Sequence, residues 1–184
     1  RIKLRFFGSG DFTNDFLNSK DIISDAYENG VPMGSDLILE EDQSPSFFIW
    51  AAKDPSKTSL QRIQIIKGWV EDGEGKEAVI DVACSDGLSV DPDTNRCPDN
   101  GATVDLTNCE ITPDKGAKEL SVVWRDNNFS QDQRAFYYVR VLENPTCRWS
   151  TYDAIRAGVQ PRPGMKATIQ DRAWSSPIWY QPNT

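Results

Sequence analysis

The chain of 184 residues carries 20 basic against 28 acidic side chains, a net charge of −8, with six tryptophans, four cysteines and no histidine. The acid gathers at Glu71 to Glu77 and between Asp86 and Asp114 without a compensating basic stripe, which excludes nucleic acid and anionic membranes as partners. Without histidine or a CxxC pair the usual zinc ligand sets are excluded as well, while the length suffices to bury roughly 70% of the unfolded surface in a real core.

In chain order, Arg1 to Phe7 alternates basic and apolar residues, with Ile2, Leu4 and Phe6 on one side, and predicts a half-buried strand turned by Gly8-Ser9-Gly10. Asp21 to Glu28 predicts a short helix capped by Asp21 and stopped at Gly30. After a turn at Val31 to Gly34 comes Leu37 to Leu39, then the near-continuous apolar strand Ser46 to Lys53. This is the longest strongly apolar stretch, and it is far too short to cross a bilayer. Leu60 to Val70 and Glu77 to Ala83 flank the polar turn Glu71 to Gly75 and form the clearest hairpin.

Cys84 to Lys118 has little hydrophobic periodicity and is too long for an ordinary connection, so it is expected to be an ordered loop held by crosslinks. Cys84, Cys97, Cys109 and Cys147 make an even set. Of the three pairings open to them, Cys84 to Cys97 and Cys109 to Cys147 are favoured. The first staples the Asp-rich loop, and the second ties the insert to the end of the strand that precedes Cys147. Two disulfides place the chain in an oxidising compartment, periplasmic or secreted.

Glu119 to Arg125 is a further strand, and Ala135 to Leu142 reads as the central one, apolar on both faces. Asn144-Pro145 stops it, and Cys147 and Trp149 follow as crosslink and apolar anchor. Ser150 to Asp153 matches a capping box for about two turns of helix ending at Arg156 and Gly158, beyond which Pro161 and Pro163 bar more helix. Ala173 to Tyr180, with Pro177 inside it, predicts an edge strand or a strand start. Strands joined by turns, with one or two short helices, predict an all-β antiparallel sandwich. Phe136, Tyr138, Val139, Val141, Ile49, Ile65 and Trp124 are its expected core.

Few constellations carry chemistry. Asp91, Asp93, Asn95 and Asp99 set oxygen ligands at alternate positions, as a calcium loop requires. The expected glycine is Arg96, however, and the expected closing glutamate is Ala102, so turn chemistry is the competing reading. Asp81, Asp105, Glu119 and Glu143 are carboxylates in or near strands, but no spacing selects a glycosidase pair. Lys67 and Arg140, set in apolar strands, are expected to be paired structurally, and Trp50 and Trp124 belong with the core rather than with a sugar platform.

The phrases GVPMGSDL (Gly30 to Leu37), KDP (Lys53 to Pro55), LQRIQIIKGW (Leu60 to Trp69), DVACSDG (Asp81 to Gly87), CPDNGATVDL (Cys97 to Leu106), RAFYYVRVLENPTCRWST (Arg134 to Thr151) and RAWSSPIWY (Arg172 to Tyr180) cover nearly the whole chain. Together they resemble the C-terminal part of a bacterial family of unknown function. Its members are typically exported and carry upstream a region similar to the PHP (polymerase and histidinol phosphatase) metal-dependent phosphoesterases. The resemblance implies that residues 1–184 are a single C-terminal β domain of a longer protein and are not themselves an enzyme. It further implies that the partner is the upstream region of the same polypeptide, and that any divalent metal is held there. No catalytic or cofactor-binding residue carries over to this chain. A carbohydrate- or calcium-binding β module is the alternative.

Overall fold

The computed structural model describes residues 1–160 and 162–182. Its strands are Lys3–Ser9 (β1), Val31–Pro32 (β2), Asp36–Leu37 (β3), Ser46–Ala52 (β4), Leu60–Glu71 (β5), Glu74–Cys84 (β6), Glu119–Arg125 (β7), Ala135–Glu143 (β8), Thr146–Cys147 (β9), Thr168–Ile169 (β10), Arg172–Trp174 (β11) and Ile178–Tyr180 (β12). The helices are Ile22–Asn29 (α1) and Trp149–Ala157 (α2), with a 3-10 turn at Asn14–Asn18. A four-stranded sheet, β2-β1-β4-β7, faces a six-stranded one ordered β3-β12-β8-β5-β6, in which β11 also pairs with β8. The β3–β12 contact is parallel, and β9 and β10 form a separate antiparallel pair.

The two sheets meet as the expected sandwich. Phe6, Phe47 and Ile49 from one pack with Ile63, Ile65, Tyr137, Val139 and Val141 from the other, and the rings of Phe47 and Tyr137 lie 4.5 Å apart. Each of these side chains, fully buried, contributes about 1.5–3 kcal/mol. A third layer lies behind the smaller sheet. Because side chains alternate along a strand, the adjacent pairs Phe6-Phe7 and Phe47-Phe48 apolarise both faces of that sheet. Phe7 and Phe48 therefore point away from the sandwich, where Phe12 from the loop before the 3-10 turn and Ala26 of α1 cover them.

The hairpin forms where expected. Asp72 (φ 53°) and Gly73 (φ 78°) occupy the left-handed region that a two-residue type I′ turn requires, and Glu71 pairs with Glu74 across it. Both favoured disulfides are present, Cys84–Cys97 and Cys109–Cys147. The insert between β6 and β7 carries short bridges, Asp91 to Arg96 and Val104 to Ile111 within it and Ala117 to Leu60 of β5 at its end.

Several expectations need correction. The β8 strand is central, but it is not covered on both faces: Tyr137, Val139 and Val141 are buried, whereas Phe136 and Tyr138 on the opposite face are half-buried, as is Trp124 at the edge of the core. The strand β1 runs on through Ser9 rather than turning at Gly8. Asp21 is the N-cap of α1, yet its side chain makes no capping hydrogen bond. Ser150 lies inside α2; the cap is Arg148, whose carbonyl accepts from the amides of Thr151 and Tyr152. Trp149 is no anchor, being 71% exposed. The buried face of α2 carries Thr151 and Ala154, and two residues at about 100° each turn Trp149 away from it. Gly158 ends the helix in the left-handed region (φ 64°), as expected. Pro161 lies outside the described residues. Ala173 to Tyr180 is two short strands, with Pro177 in the break.

A crosslink that closes a longer loop removes more entropy from the unfolded chain. Cys109 and Cys147 are 38 residues apart and Cys84 and Cys97 only 13. Replacing the first pair by serine should lower the unfolding free energy by about 4 kcal/mol, and replacing the second by about 3 kcal/mol. Urea titration of the two double variants measures both; an inverted order would show that native contacts of the bridges outweigh chain entropy.

Candidate functional site

The outer face of the six-stranded sheet is where side chains with recognition chemistry collect. Strand pairing places Glu77, Gly68, Phe136, Trp179 and Asp36 in one row across five strands, and directly paired residues share a face. The next row in register holds Val79, Ile66 and Tyr138. Phe136 stacks on Tyr138 (6.3 Å, 11° between planes) and tilts against Trp179 (5.2 Å), giving a continuous aromatic platform. Trp179 is 46% exposed. Gly68 makes the platform flat: a Cβ there would stand 2.3 Å from the Phe136 ring, so only glycine lets the ring lie across β5. The groove above it, about 600 Å³, is rimmed by Lys76, Glu77 and Arg134.

Further along the same face, the paired residues Asp81, Gln64, Arg140 and Trp174 form a polar row. The Arg140 Nε donates to Gln64 Oε1 (2.7 Å), and Gln64 Nε2 donates to Asp81 Oδ1 (2.6 Å). The other carboxylate oxygen of Asp81 accepts the Cys97 amide (2.8 Å), with Arg62 3.7 Å away and Arg96 3.9 Å from Oδ1. Asp81 is thus a fully partnered buried anion that pins the stapled loop onto the sheet.

The calcium candidates lie in and just after that loop. The Asp91 carboxylate accepts from the amides of Asp93 (2.8 Å) and Thr94 (3.2 Å), Asn95 sits in the left-handed region (φ 55°), and Asp99 accepts from the Gly101 amide (3.0 Å). These are the bonds of turns, and among the described residues no group of three or more acidic or cysteine side chains is arranged to hold a metal.

The remaining candidates are dispersed. Asp105 accepts from the amide and hydroxyl of Thr107, which hold its carboxyl below the usual range. Glu119 accepts from the Trp50 indole (2.5 Å), and Trp50 packs behind the smaller sheet while Trp124 stacks on Phe47 in the core. Lys67 is ion-paired as expected, 2.5 Å from Asp126 inside the sandwich, whereas Arg140 is held by its hydrogen bond to the neutral Gln64. Asp126 also accepts from the Tyr137 hydroxyl (2.7 Å). Burial first, and then the charge of Asp126, push the Tyr137 phenol far above its ordinary range.

Glu143 differs from the others. It is 2% exposed, yet its carboxylate makes no hydrogen bond or ion pair among the described residues, and it borders a cavity of about 460 Å³ with Asp54, Lys57 and Asp171. Burial, and next the charge of Asp171, raise its pKa.

Sequence reasoning missed the platform because it assigned Phe136 and Tyr138 to the core and considered only Trp50 and Trp124 as sugar-stacking residues. The usable signal was glycine in an otherwise apolar strand, at Gly68, together with the alternation Ile178-Trp179-Tyr180 beside Pro177.

The model of a family described as "Protein of unknown function (DUF3604)" matches residues 1–182, and the chain therefore belongs to that family. No curated protein and no solved structure matches the chain.

The raised pKa of Glu143 sets a pH dependence. The folded state holds that proton more tightly than the unfolded chain, so the contribution to stability is complete below the unfolded carboxylate pKa, about 4.3, and is lost as pH rises through the higher folded value. Glu143→Gln keeps the shape and removes the charge. Its melting temperature should exceed that of the parent chain at pH 7, and the difference should vanish near pH 4; thermal unfolding across this range measures it.

Proposed function

We propose that this DUF3604 chain is a non-catalytic β domain that packs its aromatic sheet face against, or over, the active-site region of a PHP-like metal-dependent hydrolase carried upstream in the same exported polypeptide. The platform of Phe136, Tyr138 and Trp179 carries the reading. It is an apolar aromatic surface on a sheet whose other face is already buried in the sandwich, and surfaces of this kind mark interaction sites. The resemblance of the long phrases to a C-terminal region supplies the occupant.

Composition supports the division of labour. A PHP-type centre is built largely from imidazole, and the chain has no histidine, so the metal and the water it activates belong to the upstream region. Export is supported by the two disulfides; among the described residues no helix is long and apolar enough to cross a membrane. The rim of Lys76, Glu77 and Arg134 favours a second reading, a glycan-binding module in which Trp179 stacks on a sugar ring while charged side chains hydrogen-bond its hydroxyls.

Hydrogen exchange separates the two. In the full-length protein the amides of residues 134–140 and 178–180 should be protected beyond their level in the isolated chain. Trp179→Ala should lower hydrolase turnover several-fold while changing the stability of the isolated chain by no more than about 1 kcal/mol. Unchanged protection, combined with saturable oligosaccharide binding by the isolated chain, would replace the docking reading with the glycan one.

A further inference from the structure

Among the described residues, two buried side-chain polar atoms lack any hydrogen-bond partner, Arg62 Nε and Arg148 Nε. They come from distant parts of the chain, one in β5 and the other at the cap of α2. Both arginines line the same cavity, of about 770 Å³, together with Lys166, Arg172 and Asp99. Four cations against one carboxylate make a local reversal of sign on a chain of net charge −8. One oxygen of that carboxylate, Asp99 Oδ1, accepts the Gly101 amide.

From these observations we infer that this cavity binds a phosphate or sulfate group, gripped by the guanidinium edges of Arg62 and Arg148. A buried N–H donor without an acceptor is costly, and both unpartnered donors belong to side chains that line this one cavity. The guanidinium edge that includes Nε is a planar fork whose spacing matches two oxygens of a tetrahedral oxyanion. Arg62 pairs through Nη1 with Asp81 at 3.7 Å, a contact that leaves its Nε without an acceptor among the described residues. The side chain of Arg148 makes no hydrogen bond or ion pair among the described residues.

The walls are rigid. Strand register sets Arg62 between Cys84 and Leu142, and Leu142 in turn pairs with Arg172, so Arg62 and Arg172 stand on one face two strands apart. Cys84 is crosslinked to Cys97, itself part of the cavity wall. Arg148 follows Cys147, which is bridged to Cys109, and its own amide donates to the Ala167 carbonyl (2.9 Å). Both disulfides therefore brace the cavity. Its volume exceeds that of a free oxyanion and leaves room for the molecule that carries the group, which makes a phosphate or sulfate ester the fitting ligand class. This site is separate from the aromatic platform and stands whether or not that face docks a catalytic region.

Isothermal titration of the 184-residue chain with inorganic phosphate and with sulfate, at ionic strength held constant with chloride, tests the assignment. Saturable one-to-one binding is expected for both anions, because the lining sets four cationic side chains against one carboxylate. Arg148→Gln should weaken it at least tenfold without lowering the melting temperature measured in chloride, and Arg148→Lys, which keeps the charge and loses the fork, should fall between. Arg62→Gln should weaken binding similarly; should that variant fail to fold, the Arg148 pair decides alone. Glucose 6-phosphate and glucose 6-sulfate, titrated in parallel, identify by their preference which ester the cavity favours. Absence of saturable binding of either inorganic anion, or equal binding by a folded Arg148→Gln chain, overturns the proposal.

Discussion

An ion pair inside the sandwich decides which way the larger sheet faces. Lys67 on β5 and Asp126 just beyond β7 are 2.5 Å apart, with side chains only 6% and 4% exposed, and the Tyr137 hydroxyl of β8 shares the same carboxylate. Lys67 also donates to the Asn128 carbonyl (3.1 Å) and lies over the Trp69 ring. Breaking a buried pair of this kind by removing one partner costs about 3–5 kcal/mol, because the other charge is left in a medium that solvates it poorly. Since a strand has period two, committing Lys67 and Tyr137 to the interior commits Gly68 and Phe136 to the exterior. A slip of one residue would bury the platform and expose Ile63, Ile65 and Val139. The clamp that ties the end of the smaller sheet to the larger one is thus also what presents the aromatic surface.

The insert between β6 and β7 serves the same outer face from the other end. It has no hydrophobic stripe with which to pack, so it is held by the disulfides and by polar contacts to buried anchors. Asp81 is one such anchor. Asn100 is another, donating to Asn144 (2.9 Å) and Asp86 (3.0 Å) and accepting from Gln61 (3.1 Å). For Asp86, burial alone would raise the pKa, but hydrogen bonds from Ser85, the Gly116 amide and Asn100 outweigh it and hold the carboxyl below its usual range. Ionised and bonded, it fixes the far end of the insert. A loop built this way presents polar groups at set positions, and the arginine-lined cavity forms where the insert, the strand end of β5 and the cap of α2 converge.

The large sheet therefore presents two surfaces of opposite character. Toward Trp179 it is apolar and aromatic, suited to burial under another protein surface or to a sugar ring. Toward Arg62 and Arg172 it is cationic and bordered by crosslinked residues, suited to an anion. The proposed role of recognition and support draws on both surfaces.

Much of this was legible in the residues. Period-two alternation named most of the longer strands, the Asp72-Gly73 turn named the hairpin, and loop chemistry around four cysteines favoured the pairing that forms, because these signals are local or depend on sequence order alone. The phase of β8 was hardly legible: AFYYVRV carries large apolar residues at both odd and even positions, with Arg140 its one charge, and the partner Asp126, brought from the end of another strand, fixes Tyr137 inward. Nor could the sequence place Arg62 beside Arg148. Register across β6, β5, β8 and β11, together with two covalent bridges, carries these residues into one cavity, and such convergence is a property of tertiary structure because no local pattern records which distant side chains will share a wall.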